Sequence, residues 1–282
     1  MAEATAPGSS ANLGPGFDTL ALALEMTCRV VATPADDWRV THHGRHAPES
    51  GEDDAVLMAA RAAVGPDSPL ELDVYNEIPL GRGLGSSAAA FVAGAAAGLR
   101  VVGDDLDLHR VIEVAADLEG HVDNVAASVF GGLVAAVGTV VQPLQLHPSL
   151  RFVIAVPDRR LPTKWARRAL PEIVEHDVAA RSVARVVALV EAFRTADAGL
   201  FAAAAGDELH EAPRSSLFPE ADDLISVARS AGALHACWSG AGPSILAVVG
   251  DEQVNPVAAA LSGALGLEGT VLRPEVDRRG VR

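Results

Sequence analysis

The stretch PLGRGLGSSAAA, residues 79–90, places three glycines and two serines between a predicted strand and an alanine-rich segment. In the preceding segment LELDVYNEIPL, the apolar residues Leu70, Leu72 and Val74 alternate with acidic residues, which indicates a half-buried strand. The segment that follows is rich in helix formers, and a serine is predicted as its N-cap. The glycine turn is therefore predicted to lie at a strand-to-helix junction.

Such a junction favours an anion site. Backbone amides converge at a helix N-terminus, where the helix dipole is positive, and glycines let the main chain approach a ligand closely. Phosphate is the favoured anion, and a tight connection without a ligand is the open alternative. The turn lacks the GxxxxGK[ST] pattern of P-loop enzymes, and the surrounding elements do not alternate as the βαβ units of a dinucleotide fold.

Length and composition predict a globular protein with two domains. The chain has 282 residues, of which 49% are hydrophobic and 21% charged, enough for two moderate cores. We place the boundary near residue 150, which gives an N-terminal domain, residues 1–150, and a C-terminal domain, residues 151–282. A formal net charge of −15 disfavours binding to nucleic acid and to anionic membranes.

Cysteine usage and the first residues indicate a cytoplasmic protein. Cys28 and Cys237 are too few and too far apart for a disulfide scaffold or a cysteine-based zinc site, and we expect both to serve in packing. The opening MAEATAPGSSANLG has neither a basic start nor an apolar core. The uncharged run at residues 83–99 is too short and too rich in alanine, glycine and serine for a membrane span, and a buried helix fits better.

The remaining patterns predict a mixed α+β first half and a second set of elements. We expect a helix around residues 108–118, a polar turn EGHVDN at residues 119–124 and strands within residues 129–141. The segment RFVIAVP predicts a strand that opens the second half. Residues 177–204 carry valines at helical spacing, and a second glycine-rich turn, SGAGPS, leads into a late strand.

Six segments in order resemble motifs of the GHMP small-molecule kinases, and PGSSANLGPGFD and SGAGPS are similar in particular to the homoserine kinase branch of that family. The resemblance covers nearly the whole chain. The segments are PGSSANLGPGFD (7–18), PLGRGLGSSAA (79–89), EGHVDN (119–124), TKWARRALP (163–171), HEAPRSSLFP (210–219) and SGAGPS (239–244).

The resemblance implies an N-terminal domain like ribosomal protein S5 domain 2 and a ferredoxin-like C-terminal domain, with ATP and the acceptor meeting in the cleft between them. It also implies ATP-dependent phosphorylation of the side-chain hydroxyl of L-homoserine, in threonine biosynthesis, with Mg²⁺. Phosphoryl transfer depends mainly on positioning and charge neutralisation, so an amide cradle, a metal and a site that orients one hydroxyl are needed.

The family motif assigns the nucleotide and metal sites residue by residue. Because Mg²⁺ keeps several waters and takes one or two protein oxygens, a lone carboxylate suffices, and Glu119 is preferred with Asp117 as the alternative. Ser86 and Ser87 are the further metal candidates. The expected ATP-binding residues are Pro79, Leu80, Gly81, Arg82, Gly83, Leu84, Gly85, Ser86, Ser87, Ala88 and Ala89.

The same matching assigns the acceptor site. Guanidinium groups suit a carboxylate, so Arg167 and Arg214 are the expected clamp, with Arg168 as a rival to the first. His121 is expected to support by hydrogen bonding rather than to act as a general base. The expected catalytic residues are Asp18, Asn124 and Arg167, and the expected substrate-binding residues are Asn12, Asp18, His121, Asn124, Thr163, Arg167 and Arg214.

Two other functions stay open. One is a GHMP kinase for another small alcohol or amino acid, and the other is a non-catalytic binding protein on the S5-like fold. Lys164 and Trp165 depart from the family pattern, in which small or acidic residues are usual at those positions. The expected partner is the small-molecule substrate, with a homodimer left open and with neither nucleic acid nor a membrane expected.

Overall fold

The computed structural model describes residues 1–48, 51, 53–103 and 106–282. The glycine-rich stretch connects a strand to a long helix, so the predicted junction is confirmed. The strands are β1 (Ala2–Ala11), β2 (Leu20–Pro34), β3 (Arg39–His43), β4 (Leu70–Asn76), β5 (Leu133–Val137), β6 (Val140–Leu144), β7 (Leu150–Pro157), β8 (His235–Trp238), β9 (Ile245–Gly250) and β10 (Gly269–Leu272).

The helices include two short 3₁₀ turns, Ser215–Leu217 and Asp251–Gln253. The α-helices are α1 (Ala55–Val64), α2 (Ser86–Val101), α3 (Leu108–Glu119), α4 (Asp123–Phe130), α5 (Thr163–Arg168), α6 (His176–Thr195), α7 (Ala198–Ala203), α8 (Glu211–Arg214), α9 (Glu220–Ser230) and α10 (Val254–Leu265).

The first sheet has the order β3-β4-β2-β5-β6, and β1 pairs with β2. Strand β3 is parallel to β4, and the other described pairs of this sheet are antiparallel. Helix α2 contacts β1, β2 and α1. Its small residues permit that approach, because a Cβ on Gly94 would lie 2.5 Å from the carbonyl oxygen of Val56 in α1. The alanine-rich segment therefore forms a buried helix, as predicted.

The second sheet is antiparallel, with the order β10-β7-β9-β8. Alternate residues of β7 face two different cores: Phe152 and Ile154 pack with the core of the first sheet, and Val153 and Ala155 pack on the side of α9 and α10. Helices lie between β7 and β8 and between β9 and β10, which is the ferredoxin-like order that the resemblance implies.

The segment after β10 returns to the first sheet. Thr5 and Arg282 exchange two backbone hydrogen bonds of 2.8 and 3.0 Å, and Glu25 N–H donates to the Glu275 carbonyl at 2.9 Å. Gly280 lies so close to Val129 and Gly131 that a side chain would not fit there. The domain division at residue 150 stays a prediction.

Most predicted elements are present, and two details are wrong. The helix around residues 108–118 and the strand at residue 151 are confirmed by α3 and β7, and the segment 177–204 is helical but divides after Thr195 into α6 and α7. The N-cap of α2 is Gly85 rather than a serine, since Ser86 and Ser87 lie inside the helix. The predicted polar turn also ends early, because Asp123 already begins α4. Cys28 and Cys237 are buried and unpaired, as expected.

Within the described residues, no helix has the length and apolar character that a membrane crossing needs.

Candidate active site

A cleft of about 640 Å³ including its open mouth brings together segments from both sheets. Most of the residues predicted from the motifs line it. They are Asn12, Asp18, Pro79, Gly81, Arg82, Gly83, Leu84, Gly85, Ser86, Ser87, Glu119, His121, Asn124, Thr163, Arg167 and Arg214.

Three predicted ATP-binding residues lie elsewhere. Leu80 lines a neighbouring cavity, and the side chains of Ala88 and Ala89 are buried in the core beneath α2. Any contact of Ala88 or Ala89 with a ligand in the cleft therefore has to come from the backbone.

The glycine turn has the backbone shape of an anion cradle. The backbone φ angles of Gly81, Gly83 and Gly85 are +64°, +73° and +66°, values that residues other than glycine rarely adopt. Within the described residues, α2 has no side-chain cap at its N-terminus. The first N–H groups of a helix have no partner inside the helix, so here they are left for an external acceptor.

The second glycine-rich turn, residues 239–244, packs directly against the first. Ser239 Oγ donates to the Gly83 carbonyl at 2.7 Å, and Ser244 N–H donates to the Arg82 carbonyl at 3.3 Å. A Cβ on Gly83 would collide with the Ser239 carbonyl oxygen, and one on Gly85 would collide with Ser9. Both glycines are therefore required by close packing as well as by their φ angles.

A buried acidic cluster faces the cradle. Ser87 Oγ donates to Glu119 Oε2 at 2.7 Å, and His121 lies between Glu119 and Asp123 with nitrogen-to-oxygen distances of 3.7 and 3.3 Å. Burial raises the pKa of Glu119, and the hydrogen bond from Ser87 only partly opposes it. Burial by itself lowers the pKa of His121, but Asp123 and Glu119 outweigh burial and raise it.

This cluster fits a magnesium ion better at Glu119 than at Asp117. Glu119 lines the cleft beside Ser87, whereas Asp117 is exposed and lies outside the cleft. A buried carboxylate with a raised pKa gains a partner when a cation binds, and a serine hydroxyl is a further hard oxygen ligand. Among the described residues no group of three or more His, Cys, Asp and Glu side chains is arranged to hold a metal ion by itself.

The same cleft carries the two arginines. Arg167 in α5 donates two hydrogen bonds to Asp18, with Nη1–Oδ2 at 3.0 Å and Nη2–Oδ1 at 2.8 Å. The guanidinium groups of Arg167 and Arg214 lie 5.8 and 5.5 Å from the centre of the Phe17 ring. The two predicted clamp residues therefore converge on one aromatic ring, while Arg168 is exposed and lies outside the cleft.

Arg214 is nearly fully buried, with 2% of its surface exposed. Its Nε donates to the Ala166 carbonyl at 3.2 Å, and its Nη1 lies 2.9 Å from His210 Nδ1 and 3.3 Å from the Gly240 carbonyl. Burial, with the charge of Arg167 as the second cause, lowers its pKa to about 10. Arg214 remains a cation at neutral pH.

Asn12 and Asn124 line the cleft, and their side-chain amides form hydrogen bonds within the protein. Asn12 Nδ2 donates to the Gly240 carbonyl at 2.9 Å, and its Oδ1 accepts from Asp18 N–H at 3.0 Å. Asn124 Oδ1 accepts from Ser9 Oγ at 2.8 Å. In this state both side chains brace the loops around the cleft.

Sequence reasoning missed several residues of this site. Asp123 and Gly240 line the cleft, and Phe17 and His210 stack with their ring centres 5.1 Å apart behind it. Asp123 lies inside the quoted EGHVDN segment, which was a usable signal. His210 is 193 residues from Phe17, so only the folded chain reveals that contact.

A second cavity adjoins the cradle. It encloses about 850 Å³ including open space, shares Gly81, Ser86 and Ser87 with the cleft, and extends to Cys28 and Val74 of the first sheet. The cradle therefore lies between two spaces.

The sequence matches models of one kinase family in both halves. The GHMP kinases N terminal domain matches residues 54–132, and the GHMP kinases C terminal domain matches residues 189–266. A homoserine kinase from Thermus thermophilus is 40% identical over 272 residues, covering 94% of this chain and 93% of that protein. A homoserine kinase from Moorella thermoacetica is 36% identical over 277 residues, covering 94% of each.

Solved structures show the same two-domain fold. The crystal structure of a homoserine kinase from Cytophaga hutchinsonii gives a TM-score of 0.88 at 28% identity, covering 100% of this chain and 96% of that one. A mevalonate kinase structure gives 0.74 at 12% identity, covering 99% and 100%, and shows the shared fold alone. The α+β fold expected from the resemblance is confirmed.

Proposed function

The chain belongs to the GHMP kinase family, and from this premise we propose that it transfers the γ-phosphate of ATP to the side-chain hydroxyl of L-homoserine, giving O-phospho-L-homoserine. The homoserine kinases that it matches over nearly its whole length support this activity. The same reaction would place the enzyme in threonine biosynthesis.

One observation carries the choice of substrate: a cationic, aromatic-backed pocket faces a phosphate cradle across a single cleft. Arg167 and Arg214 supply the cations and Phe17 the backing. A planar guanidinium matches a carboxylate with two parallel hydrogen bonds. A small acceptor with a carboxylate at one end and a hydroxyl at the other would span this cleft.

ATP is assigned to the glycine turn and the adjoining cavity. The amides from Gly83 through Ala88 would hold the phosphates, since the N-terminus of α2 has no side-chain cap among the described residues. The neighbouring cavity, reached past Leu80, would take the nucleoside.

Glu119, Ser86 and Ser87 are the residues that would hold Mg²⁺, and the contact between Ser87 and Glu119 supports this assignment. When bound, the ion would neutralise charge on the transferring phosphate. His121 would hold the two flanking carboxylates, Glu119 and Asp123, in position and would not act as a general base.

The acceptor residues would act by orientation. Arg167 and Arg214 would hold the carboxylate of homoserine, and Asp18 would attract its ammonium group once Arg167 turns to the substrate. Asn124, Asn12 and Thr163 would complete the wall beside the hydroxyl. Fixing the hydroxyl near the phosphate turns an encounter of two molecules into a reaction within one complex.

The test is phosphate transfer from ATP to a panel of acceptors: L-homoserine, L-threonine, L-serine, mevalonate and 3-amino-1-propanol. The proposal expects L-homoserine to have the highest kcat/KM. The amino alcohol keeps the hydroxyl and amine but lacks the carboxylate, so its kcat/KM should be lower by at least about tenfold.

Two outcomes would contradict the proposal. Equal kcat/KM values for 3-amino-1-propanol and L-homoserine would show that the two arginines do not bind a substrate carboxylate. Preference for mevalonate or another alcohol would assign the enzyme to a different GHMP kinase reaction. We also propose a cytoplasmic location, which the buried, unpaired Cys28 and Cys237 favour because free thiols suit a reducing compartment.

A further inference from the structure

The strongest feature outside the assigned residues is the buried side chain of His210, which lies directly behind the acceptor pocket. It is fully buried and makes two hydrogen bonds in opposite directions, and its Nε2 also lies 3.6 Å from Asp207 Oδ2. Its Nε2 lies 2.8 Å from the Gly14 carbonyl, and its Nδ1 lies 2.9 Å from Arg214 Nη1. The ring also stacks on Phe17 at an interplanar angle of 22°.

These two contacts fix the proton on His210. A guanidinium nitrogen can only donate, so Nδ1 must accept from Arg214 and carries no proton. A carbonyl oxygen can only accept, so Nε2 carries the proton and donates it to Gly14. The imidazole is therefore neutral, and burial independently lowers the pKa of His210 to about 4.

The position of His210 is set by the start of α8. Asp207 Oδ2 accepts the backbone N–H groups of His210 and Glu211 at 2.6 and 2.8 Å, which fixes the turn that precedes the helix. His210 and Arg214 are four residues apart, so their side chains lie on one face of that turn. The ring and the guanidinium therefore approach each other as a local pair.

No carboxylate is in direct contact with Arg214 among the described residues, although the charges of Asp18, Asp207 and Glu211 act on it from a distance. Its hydrogen-bond acceptors are two carbonyls and the neutral imidazole. Burial raises the pKa of the adjacent Glu211 to about 8, which favours its neutral form at pH 7. Arg167, by contrast, is already paired with Asp18.

We propose that His210 is a positioning residue that aims Arg214 at the acceptor through a neutral hydrogen bond, so that the carboxylate of the substrate is the first anion to pair with this guanidinium. A carboxylate in place of the imidazole would also hold Arg214, but it would neutralise the charge that the substrate needs. The inference rests on the proposed function and names a further determinant of its specificity.

Two substitutions separate the two contacts of His210. In His210→Asn, the side-chain oxygen can occupy the place of Nδ1 and still accept from Arg214. In His210→Gln, the longer amide can reach Gly14 but offers no acceptor at the place of Nδ1. Gln should therefore raise the KM for homoserine by about tenfold or more, and Asn by no more than about threefold, with kcat and the KM for ATP nearly unchanged.

A third substitution tests the neutrality of the acceptor. His210→Asp offers an anion at the place of Nδ1, so the ratio of kcat/KM for L-homoserine to that for 3-amino-1-propanol should fall by at least about tenfold relative to wild type. This ratio compares two acceptors on one variant, so general damage to the fold, which lowers the use of both, does not change it.

Equal homoserine KM values for the Asn and Gln variants would overturn the inference, as would parallel rises in the KM for homoserine and for ATP. An unchanged acceptor ratio in the Asp variant would overturn it even if Gln fails to fold. Failure of the proposed function itself is seen separately, as a wild-type enzyme that does not phosphorylate homoserine.

Discussion

Arg167 and Asp18 are 149 residues apart in the chain and form a two-hydrogen-bond ion pair across the cleft. Asp18 belongs to the loop after β1, and Arg167 belongs to α5 after the second sheet has begun. The two side chains assigned to opposite ends of the acceptor are thus bound to each other in this state. An amino acid would have to enter between them and exchange one ion pair for two.

Asp18→Asn should raise the KM for homoserine by about tenfold or more, because a charge-assisted hydrogen bond is worth roughly 1.5–3 kcal/mol. The amide keeps the size of the side chain but loses the charge that attracts the ammonium group. ATP affinity, measured by calorimetry on the same sample, should stay near the wild-type value. Wild-type kinetics for homoserine in this variant would show that Asp18 does not bind the acceptor.

Arg214→Leu and Arg167→Leu should each lower kcat/KM for homoserine by at least about tenfold while ATP binding changes little. Arg168→Leu is the matched control, because Arg168 is the exposed neighbour in the same helix and lies outside the cleft. Its kinetics should be close to wild type. A strong loss in Arg168→Leu with none in Arg167→Leu would show that the clamp had been assigned to the wrong arginine.

Glu119→Gln should reduce kcat strongly while homoserine binding stays intact, since the amide keeps the shape of Glu119 and removes its charge. Asp117→Asn is the control on the same helix, two residues away and exposed. The Mg²⁺ dependence of ATP binding, titrated by calorimetry, should weaken in Glu119→Gln alone. If Asp117→Asn gives the metal phenotype instead, the ligand is Asp117.

Gly81→Ala should weaken ATP binding severalfold in a folded protein. Its φ of +64° disfavours a side chain by about 1–2 kcal/mol, although the nearest atoms, in the Arg160 side chain, leave room at 3.7 Å. Gly138→Ala is the control, since it has a φ of +56°, open space around it and a place in the β5–β6 hairpin. Equal ATP affinities in the two variants would contradict a phosphate cradle at Gly81.

Gly85→Val is a less informative probe than the motif alone suggests. The added Cβ would collide with Ser9 before it met a bound anion, so loss of folding and loss of ATP binding should occur together. Comparison of the variant's melting temperature with that of Gly81→Ala measures this difference.

The free energy of unfolding should depend on pH through Glu211. Burial raises its pKa from 4.5 to about 8, so between these values the folded state binds the extra proton and stability falls as pH rises. Glu211→Gln removes this loss, while its amide oxygen can still accept from Trp238 N–H, the 2.7 Å contact of the carboxylate. Relative to wild type, the variant should therefore gain stability between pH 5 and pH 8.5, on the order of a few kcal/mol.

Urea unfolding at the two pH values measures that gain. Glu208→Gln is the control, because hydrogen bonds from Arg181 and Arg185 lower the pKa of this partly exposed carboxylate to about 2 and its charge does not change over the range. A constant difference between Glu211→Gln and wild type at both pH values would mean that Glu211 titrates normally.

The sequence predicted the parts of the site that are local. Alternation before residue 79, helix formers after it and three glycines between them specify the cradle, because backbone geometry there depends on neighbouring residues. The serine N-cap was wrong since Gly85, in the left-handed conformation, ends the turn and leaves the helix without a side-chain cap. Serine is the common cap, but a phosphate site is better served without one.

The missed parts depend on distant contacts. From the sequence, Phe17 is expected in a loop and His210 beside a basic segment. Neither pattern shows that the two rings stack in the folded chain. Strand β2 was not predicted at all, although its 15 residues form the centre of the first sheet. Its first five residues are all buried, so this part of the strand lacks the alternation of β4.

The return of residues 275–282 to the first sheet constrains how the cleft can open. The chain passes between the two sheets twice, after β6 and again after β10, and the second passage is anchored by Glu275 on β2 and Arg282 on β1. Opening of the cleft would therefore have to preserve both of these chain connections, and the contacts of Phe152 and Ile154 with the core of the first sheet, or break them.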